Sequence, residues 1–137
     1  MKITFTFLIL LLTVVACNKK KETIYKHVFE NTTGNSITLR VYQDSGSFIA
    51  FSADSIVIPA NEEYVIFSRT TTEYKTEYFN PCKVYMDSVV SKVSGDTLTL
   101  TKPILDSTKW IFSVTKQGKK GKGECECRFS IKSTDLQ

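Results

Sequence analysis

The sequence predicts an all-β domain, and its composition and its spacing of turn residues both indicate this. After Cys17, alanine occurs only at Ala50, Ala53 and Ala60, whereas Thr, Val, Ile, Phe and Tyr are frequent. β-branched and aromatic residues favour strands, and few good helix formers remain. Turn residues recur at the spacing of about 8 to 12 residues that is typical of sandwiches and barrels. We therefore expect about eight antiparallel strands in an Ig-like sandwich, with a small lipocalin-like barrel as the alternative.

The individual strands are predicted from alternating apolar and polar residues between turn signals. In residues 36–42, Ile37, Leu39 and Val41 occupy every second position, which is the period of a half-buried strand. Residues 70–81 are rich in Thr and Tyr, and we expect them to cross between the two halves of the sandwich, with an edge strand around 77–79. The other predicted strands are residues 24–30, 48–52, 55–58, 63–69, 83–90, 97–101, 110–116 and 124–132.

The first residues have the pattern of a secretory signal. Lys2 precedes thirteen mostly apolar residues, Ile3 to Val15, and small Ala16 precedes Cys17. The apolar run is shorter than the about 20 residues of a membrane span. An ordinary cleaved signal, an uncleaved anchor and a core element are the alternatives to a lipoprotein signal.

Val14-Val15-Ala16-Cys17 resembles the lipobox of bacterial lipoproteins. The resemblance implies a diacylglycerol on the Cys17 thiol and cleavage before this residue, so that Cys17 anchors the protein to a membrane. We expect a signal peptide at 1–16, a lipidated tether at 17–23 and a β-sandwich domain at 24–137. Removing 16 of the 137 residues leaves 121, enough for one core.

The charge of the chain excludes some partners and favours others. Without Lys2 the mature chain has 17 basic and 14 acidic residues, too small an excess to predict a nucleic-acid binder. Lys19, Lys20 and Lys21 would attract anionic head groups, or they form a plain soluble spacer. Many surface lipoproteins of Bacteroidota have an acidic cluster here instead, and this difference favours the periplasmic face of the outer membrane.

Three cysteines follow Cys17, and we expect all three to point inward. Cys125 and Cys127 share one face of a strand, and Cys82 shares the face of Val84 and Met86. In an oxidising compartment this predicts a disulfide from Cys82 to Cys125 or Cys127. The remaining thiol is then a buried free cysteine, a site of disulfide exchange, or part of a soft-metal site with Cys82 and His27. Cys-Glu-Cys lacks the usual zinc spacing, and we predict no metal.

Five of the six aspartates precede Ser or Thr, and four of these pairs continue with a residue that fits an acceptor tripeptide. These tripeptides resemble the O-glycosylation acceptors of exported Bacteroidota proteins, and Ser55, Thr97 and Ser107 are the candidate sites. Ser88 is excluded because strand parity predicts that it faces inward. Asp-Ser pairs also start turns, which is the structural alternative. Asn31-Thr32-Thr33 fits an N-linked sequon, which a bacterial lipoprotein would not normally use.

No catalytic constellation is visible, so we predict neither an enzyme nor a cofactor. His27 is the single histidine, and the acidic pairs Glu62-Glu63 and Glu124/Glu126 are expected to face solvent. Four aromatic residues in or near the predicted crossover 70–81 either form a shallow binding face or belong to the core: Tyr74, Tyr78, Phe79 and Tyr85. A lysine-rich hairpin is a candidate anion site for lipid A, peptidoglycan or an acidic glycan, or else a solvated turn; its lysines are Lys116, Lys119, Lys120 and Lys122.

The mature chain resembles the small β-sandwich lipoproteins of Bacteroidota whose function is unassigned. Our leading hypothesis is a membrane-tethered, non-catalytic module that binds an envelope protein or glycan, or has a structural role, and binds no nucleic acid. The alternative is a thiol-redox or soft-metal protein of the envelope that uses Cys125 and Cys127.

Overall fold

The computed structural model describes residues 21–42, 55–95 and 97–137, and in them it has two β-sheets. One sheet has four strands in the order β4-β1-β7-β6, and the other has three in the order β3-β2-β5. The strands are β1 (Thr23–Asn31), β2 (Ile37–Tyr42), β3 (Ser55–Ile58), β4 (Glu63–Thr71), β5 (Ser88–Val93), β6 (Ile111–Gln117) and β7 (Gly123–Ile131). The predicted all-β sandwich is confirmed, and the two open sheets contradict the lipocalin-like barrel. Cys17 and the strand predicted at 48–52 lie outside the described residues.

The centre of the larger sheet differs from the prediction because β1 and β7 run parallel. Tyr25 is paired with Cys125 and His27 with Cys127 along this ladder. The other strand pairs among the described residues are antiparallel. β1 and β7 are separated by all the other strands, so no short hairpin forces them to run in opposite directions. The prediction of purely antiparallel strands was therefore wrong at this pair.

Alternation in β7 places its apolar residues in the core, as predicted. Cys125, Cys127, Phe129 and Ile131 are buried, whereas the residues between them are partly exposed. The buried residues pack with Phe29, Leu39 and Ile66 from three other strands: β1, β2 and β4. Because these residues come from both sheets, one core lies between the sheets and holds them together. Trp110 closes this core, and its indole nitrogen donates to the Ile104 carbonyl at 2.8 Å.

The connection between β4 and β5 crosses from the larger sheet to the smaller one, as expected, but without its predicted strands. Residues 76–79 form a short 3₁₀ helix instead of an edge strand. The strand predicted at 83–90 begins only at Ser88, because Phe79, Cys82 and Met86 turn into the core from a segment that pairs with none of the described strands. The strand predicted at 97–101 is reduced to a single bridge between Leu100 and Leu136.

The strand directions define two ends of the sandwich. We call the end where β1 begins the hairpin end; it carries the start of β1, the end of β4, the connection 72–87 and the β6–β7 hairpin. The opposite end carries the turns 32–36 and 59–62. Thr23, which we assigned to the tether, is already the first residue of β1 and is fully buried. No helix in the described part of the chain is both long and apolar enough to cross a membrane.

Candidate functional site

The disulfide forms between Cys82 and Cys127, which decides between the two pairings left open by the sequence. Their Cα atoms are 5.7 Å apart, within the normal range for a disulfide. Both residues are buried, and the bond ties the connection to the central strand β7. Closing a loop of this length restricts the unfolded chain and contributes about 4 kcal/mol in the chain-entropy model.

Cys125 keeps a free thiol that is buried in the core. Burial disfavours the charged thiolate and raises the pKa of Cys125 to about 11. The thiolate is the nucleophile in disulfide exchange and the form that binds metals, so this cysteine is unreactive at neutral pH. Of the three interpretations of the leftover cysteine, the geometry fits the inert thiol.

His27 is fully buried and is surrounded by aromatic rings. Its ring centroid lies 5.0 Å from that of Trp110, 5.6 Å from that of Tyr85 and 6.0 Å from that of Phe67. Its Nε2 atom is hydrogen-bonded to the Tyr25 hydroxyl group. Desolvation lowers the pKa of His27 to about 4, so the ring is neutral near pH 7. His27 is therefore packed in the core, where a single histidine most often has a structural role.

The Tyr25 hydroxyl group lies between His27 and the disulfide. Both contacts of this hydroxyl are hydrogen bonds when His27 carries its proton on Nε2, and we assign this tautomer: the hydroxyl then donates to the Cys127 sulfur at 3.4 Å and accepts from Nε2–H. His27 Nδ1 is then a bare lone pair, and it has no hydrogen-bond partner among the described residues. Burial raises the pKa of Tyr25 well above its usual value, so the hydroxyl keeps its proton.

The soft-metal interpretation lacks the ligands that it needs. Cys82 and Cys127 share a disulfide and have no thiolate to offer, and Nε2 of His27 is already bonded. In the described part of the chain, no group of three or more His, Cys, Asp and Glu side chains is arranged to hold a metal ion.

The lysine-rich hairpin is a tight turn. The Gly118 amide donates to the Lys122 carbonyl at 2.6 Å. Gly123 has a φ of 145°, and a Cβ atom there would lie 2.0 Å from the Lys116 carbonyl oxygen. Only glycine fits this position without a shift of the backbone.

Two of the four hairpin lysines are held by other groups of the protein. The Lys122 ammonium donates to the carbonyls of Thr72 and Tyr74 at 2.8 and 2.7 Å, and so fastens the hairpin to the connection. Lys116 forms an ion pair with Glu124 at 3.4 Å. We therefore remove Lys122 from the candidate anion site and give Lys116 a minor part in it.

Lys119 and Lys120 are exposed, and neither forms an ion pair with another described residue. Lys75, from the connection, joins them because its side chain lies over Gly121; a Cβ atom on this glycine would be 2.9 Å from Cδ of Lys75. The sequence did not reveal Lys75, since only the fold brings it beside a hairpin more than forty residues away.

An exposed tyrosine adjoins these lysines. Tyr78 is 54% exposed, and its ring stacks on that of Tyr74 with 4.0 Å between the centroids. Lys83 Nζ lies 5.8 Å from the centroid of the Tyr78 ring. The Tyr74 carbonyl accepts from the Thr23 hydroxyl at 2.8 Å, which places the ring pair at the hairpin end. Phe79 and Tyr85 instead pack with the core.

Acidic residues on the outer face of the larger sheet form ion pairs with Lys and Arg side chains. Arg128 contacts Glu126 at 2.8 Å, Glu63 at 2.7 Å and Glu30 at 3.2 Å. Hydrogen bonds to Glu126 raise the pKa of Arg128 further above its usual value. Glu124 lies 3.9 Å from Lys26 in addition to its contact with Lys116.

The candidate glycosylation sites Ser55, Thr97 and Ser107 are all exposed. The Asp106 carboxylate accepts from the amide and the hydroxyl of Thr108 at 2.9 and 2.7 Å, so this tripeptide also forms a turn. Those hydrogen bonds lower the pKa of Asp106. Ser88 is exposed as well, and its predicted inward position was wrong because parity was carried across a segment that is not a strand. Asp54 and Asp96 lie outside the described residues.

Asn31 has a structural role, although it fits a sequon. It is buried, and its amide nitrogen donates to the carbonyls of Asn35, Ile58 and Pro59 at 2.7, 3.1 and 2.9 Å. The side chain thus holds the β1–β2 turn against the end of β3, and it is not accessible for a glycan.

Comparison with protein-family models, with curated proteins and with solved structures finds no match to this chain.

Proposed function

We propose that this protein is a lipid-anchored, non-catalytic module of the bacterial cell envelope that binds an envelope protein or glycan. Cys17 carries the lipid, and the protein is anchored to the outer membrane on its periplasmic face. The observation that carries the proposal is the buried disulfide between Cys82 and Cys127. Disulfides persist in oxidising compartments, and this agrees with the signal and lipobox pattern before Cys17.

The position of β1 supports a short tether. β1 begins at Thr23, so only residues 18–22 separate it from Cys17. Five extended residues span about 17 Å at roughly 3.3 Å each. A lipid on Cys17 would therefore hold the sandwich close to the membrane surface.

The buried groups support a structural use of the cysteines over the thiol-redox alternative. Exchange at Cys125 needs an accessible thiolate, whereas this thiol is 1% exposed and has a pKa of about 11. His27, the single histidine, is sealed in the core with its Nε2 bonded to Tyr25. These observations favour a protein that binds its partner through surface residues and not through Cys125 or His27.

Metabolic labelling tests the anchor. Cells that express the full chain are given labelled palmitate, and we expect label in the wild-type protein and none in Cys17→Ser. The matched control is Asn18→Ser, which should keep both the label and the membrane association. A Cys17→Ser protein that stays in the membrane fraction as firmly as the control would contradict the proposal.

A further inference from the structure

We propose that the hairpin end is a membrane-binding face, on which Lys75, Lys119, Lys120 and Tyr78 contact the anionic phospholipid surface that holds Cys17. This inference rests on the proposed lipid anchor. It also specifies an orientation of the domain: the hairpin end faces the membrane, and the end with the turns 32–36 and 59–62 points away from it.

The start of β1 and the hairpin are direct neighbours. The Gly123 amide donates to the Glu22 carbonyl at 3.2 Å, and Thr23 is paired with Gly123 in the parallel ladder. The tether therefore leaves the sheet about one strand spacing, roughly 4.8 Å, from the hairpin. With a tether of about 17 Å, the lysines of the hairpin cannot lie far from the head groups.

Charge is distributed unevenly along the sandwich. At the hairpin end, segments 21–26, 69–87 and 116–124 contain nine Lys and Arg residues and five acidic residues. Glu124 among these is already paired with Lys26 and Lys116. At the opposite end, segments 30–36, 59–63, 92–94, 109–111 and 131–135 contain four acidic residues and three lysines, and two of the glutamates, Glu30 and Glu63, are paired with Arg128. The formal net charge of these segments is +4 at the hairpin end and −1 at the opposite end, so an anionic surface attracts the first end and not the second.

The exposed lysines of the hairpin end are better arranged to contact an extended anionic surface than to enclose a small anion in a pocket. Lys75, Lys119 and Lys120 are exposed, and the buried hydroxyl group beside them, that of Thr76, already donates to the Gly121 carbonyl at 3.3 Å. Each lysine near an anionic membrane contributes up to about 1 kcal/mol. Tyr78 adds an amphipathic ring of the kind that settles at head-group level.

The test uses the mature chain from Cys17, coupled through the Cys17 thiol to a maleimide lipid in vesicles. Acetylation of each lysine is followed by mass spectrometry, on phosphatidylcholine and on vesicles that contain phosphatidylglycerol. We expect Lys75, Lys119 and Lys120 to react several-fold more slowly on the anionic vesicles. Lys92 and Lys132, outside the proposed face, should react equally on both. Equal rates for all five lysines would overturn the inference.

A second measurement uses the mature chain with Cys17→Ser and follows its co-sedimentation with phosphatidylglycerol vesicles. Lys119→Gln with Lys120→Asn should weaken binding by about five- to twentyfold. Asn is chosen because Lys120 has a φ of 61°, which Asn tolerates. The control pair, Lys92→Gln with Lys132→Gln, should bind as the parent does, and a loss as large as that of the hairpin pair would contradict the proposal.

Inorganic phosphate distinguishes a lipid surface from a free anion. If phosphate alone protects Lys119 and Lys120, and competes with the vesicles at matched ionic strength, the face binds a soluble anion and the inference is wrong. Because the tether in these vesicles is chemical, the result does not depend on lipidation in the cell. Absence of lipid on cellular Cys17 would contradict the proposed function alone.

Discussion

Tyr25 and Cys127 lie 102 residues apart in the chain, and the buried Tyr25 hydroxyl group donates a hydrogen bond to the Cys127 sulfur. The contact exists because β1 and β7 are parallel neighbours at the centre of the larger sheet. Through it His27, Tyr25 and the disulfide form one buried hydrogen-bonded cluster that joins the two central strands. The stability of the fold should therefore respond to changes at each of its members.

Removal of the disulfide should destabilise the fold. Replacing Cys82 and Cys127 together by Ala should lower the free energy of unfolding by about 2 to 4 kcal/mol, because the unfolded chain is no longer constrained. Urea unfolding measures this. Cys125→Ala, which removes only a buried thiol, is the control and should lose less. Equal losses in the two proteins would contradict the assigned pairing.

Acidification should destabilise the protein through His27. Its folded pKa of about 4 is below the unfolded value of about 6.5, so the unfolded chain binds the proton more readily between these values. Stability should be fully present above pH 6.5 and fall as the pH drops towards 4, by about 2 kcal/mol from this residue at pH 5. His27→Gln should flatten this part of the pH profile. An imidazole that titrates near 6.5 by NMR in the folded protein would show that the ring is not sealed.

Loss of the Tyr25 hydroxyl should leave Nε2–H of His27 buried without an acceptor. Tyr25→Phe should reduce stability by about 1 to 3 kcal/mol, the cost of an unsatisfied buried polar group. Tyr42→Phe removes a hydroxyl from a side chain that is 51% exposed and should change stability by less than about 0.5 kcal/mol. Thermal or urea unfolding of both variants gives the comparison, and equal stabilities would argue against the hydrogen bond.

Substitution of Gly123 should strain the lysine hairpin. Gly123→Ala places a methyl group on the Lys116 carbonyl at a φ of 145°, so we expect a loss of more than about 2 kcal/mol. Gly34→Ala is the matched control, since a Cβ atom there meets nothing within 4 Å. If both variants unfold at the same urea concentration, the described turn is wrong.

The strands were predictable wherever one face of a strand packs on the core. The inward positions of Cys125 and Cys127 followed from period-two alternation in β7. The choice of Cys127 over Cys125 was not predictable, because it depends on where the connection meets β7 in space. For the same reason, only the three-dimensional structure could reveal that β1 and β7 are parallel neighbours and that Lys75 lies over Gly121. Ser88 was misplaced because a disulfide-bonded loop has no strand parity.

Intact-mass analysis of protein extracted from membranes tests the central claim most directly. We expect a chain that starts at Cys17, with a diacylglycerol on this residue and one disulfide between Cys82 and Cys127. Cys125 should be alkylated only after unfolding, and any glycan should add mass at Ser55, Thr97 or Ser107. A chain that retains residues 1–16, or one with an unmodified Cys17 thiol, would contradict the account.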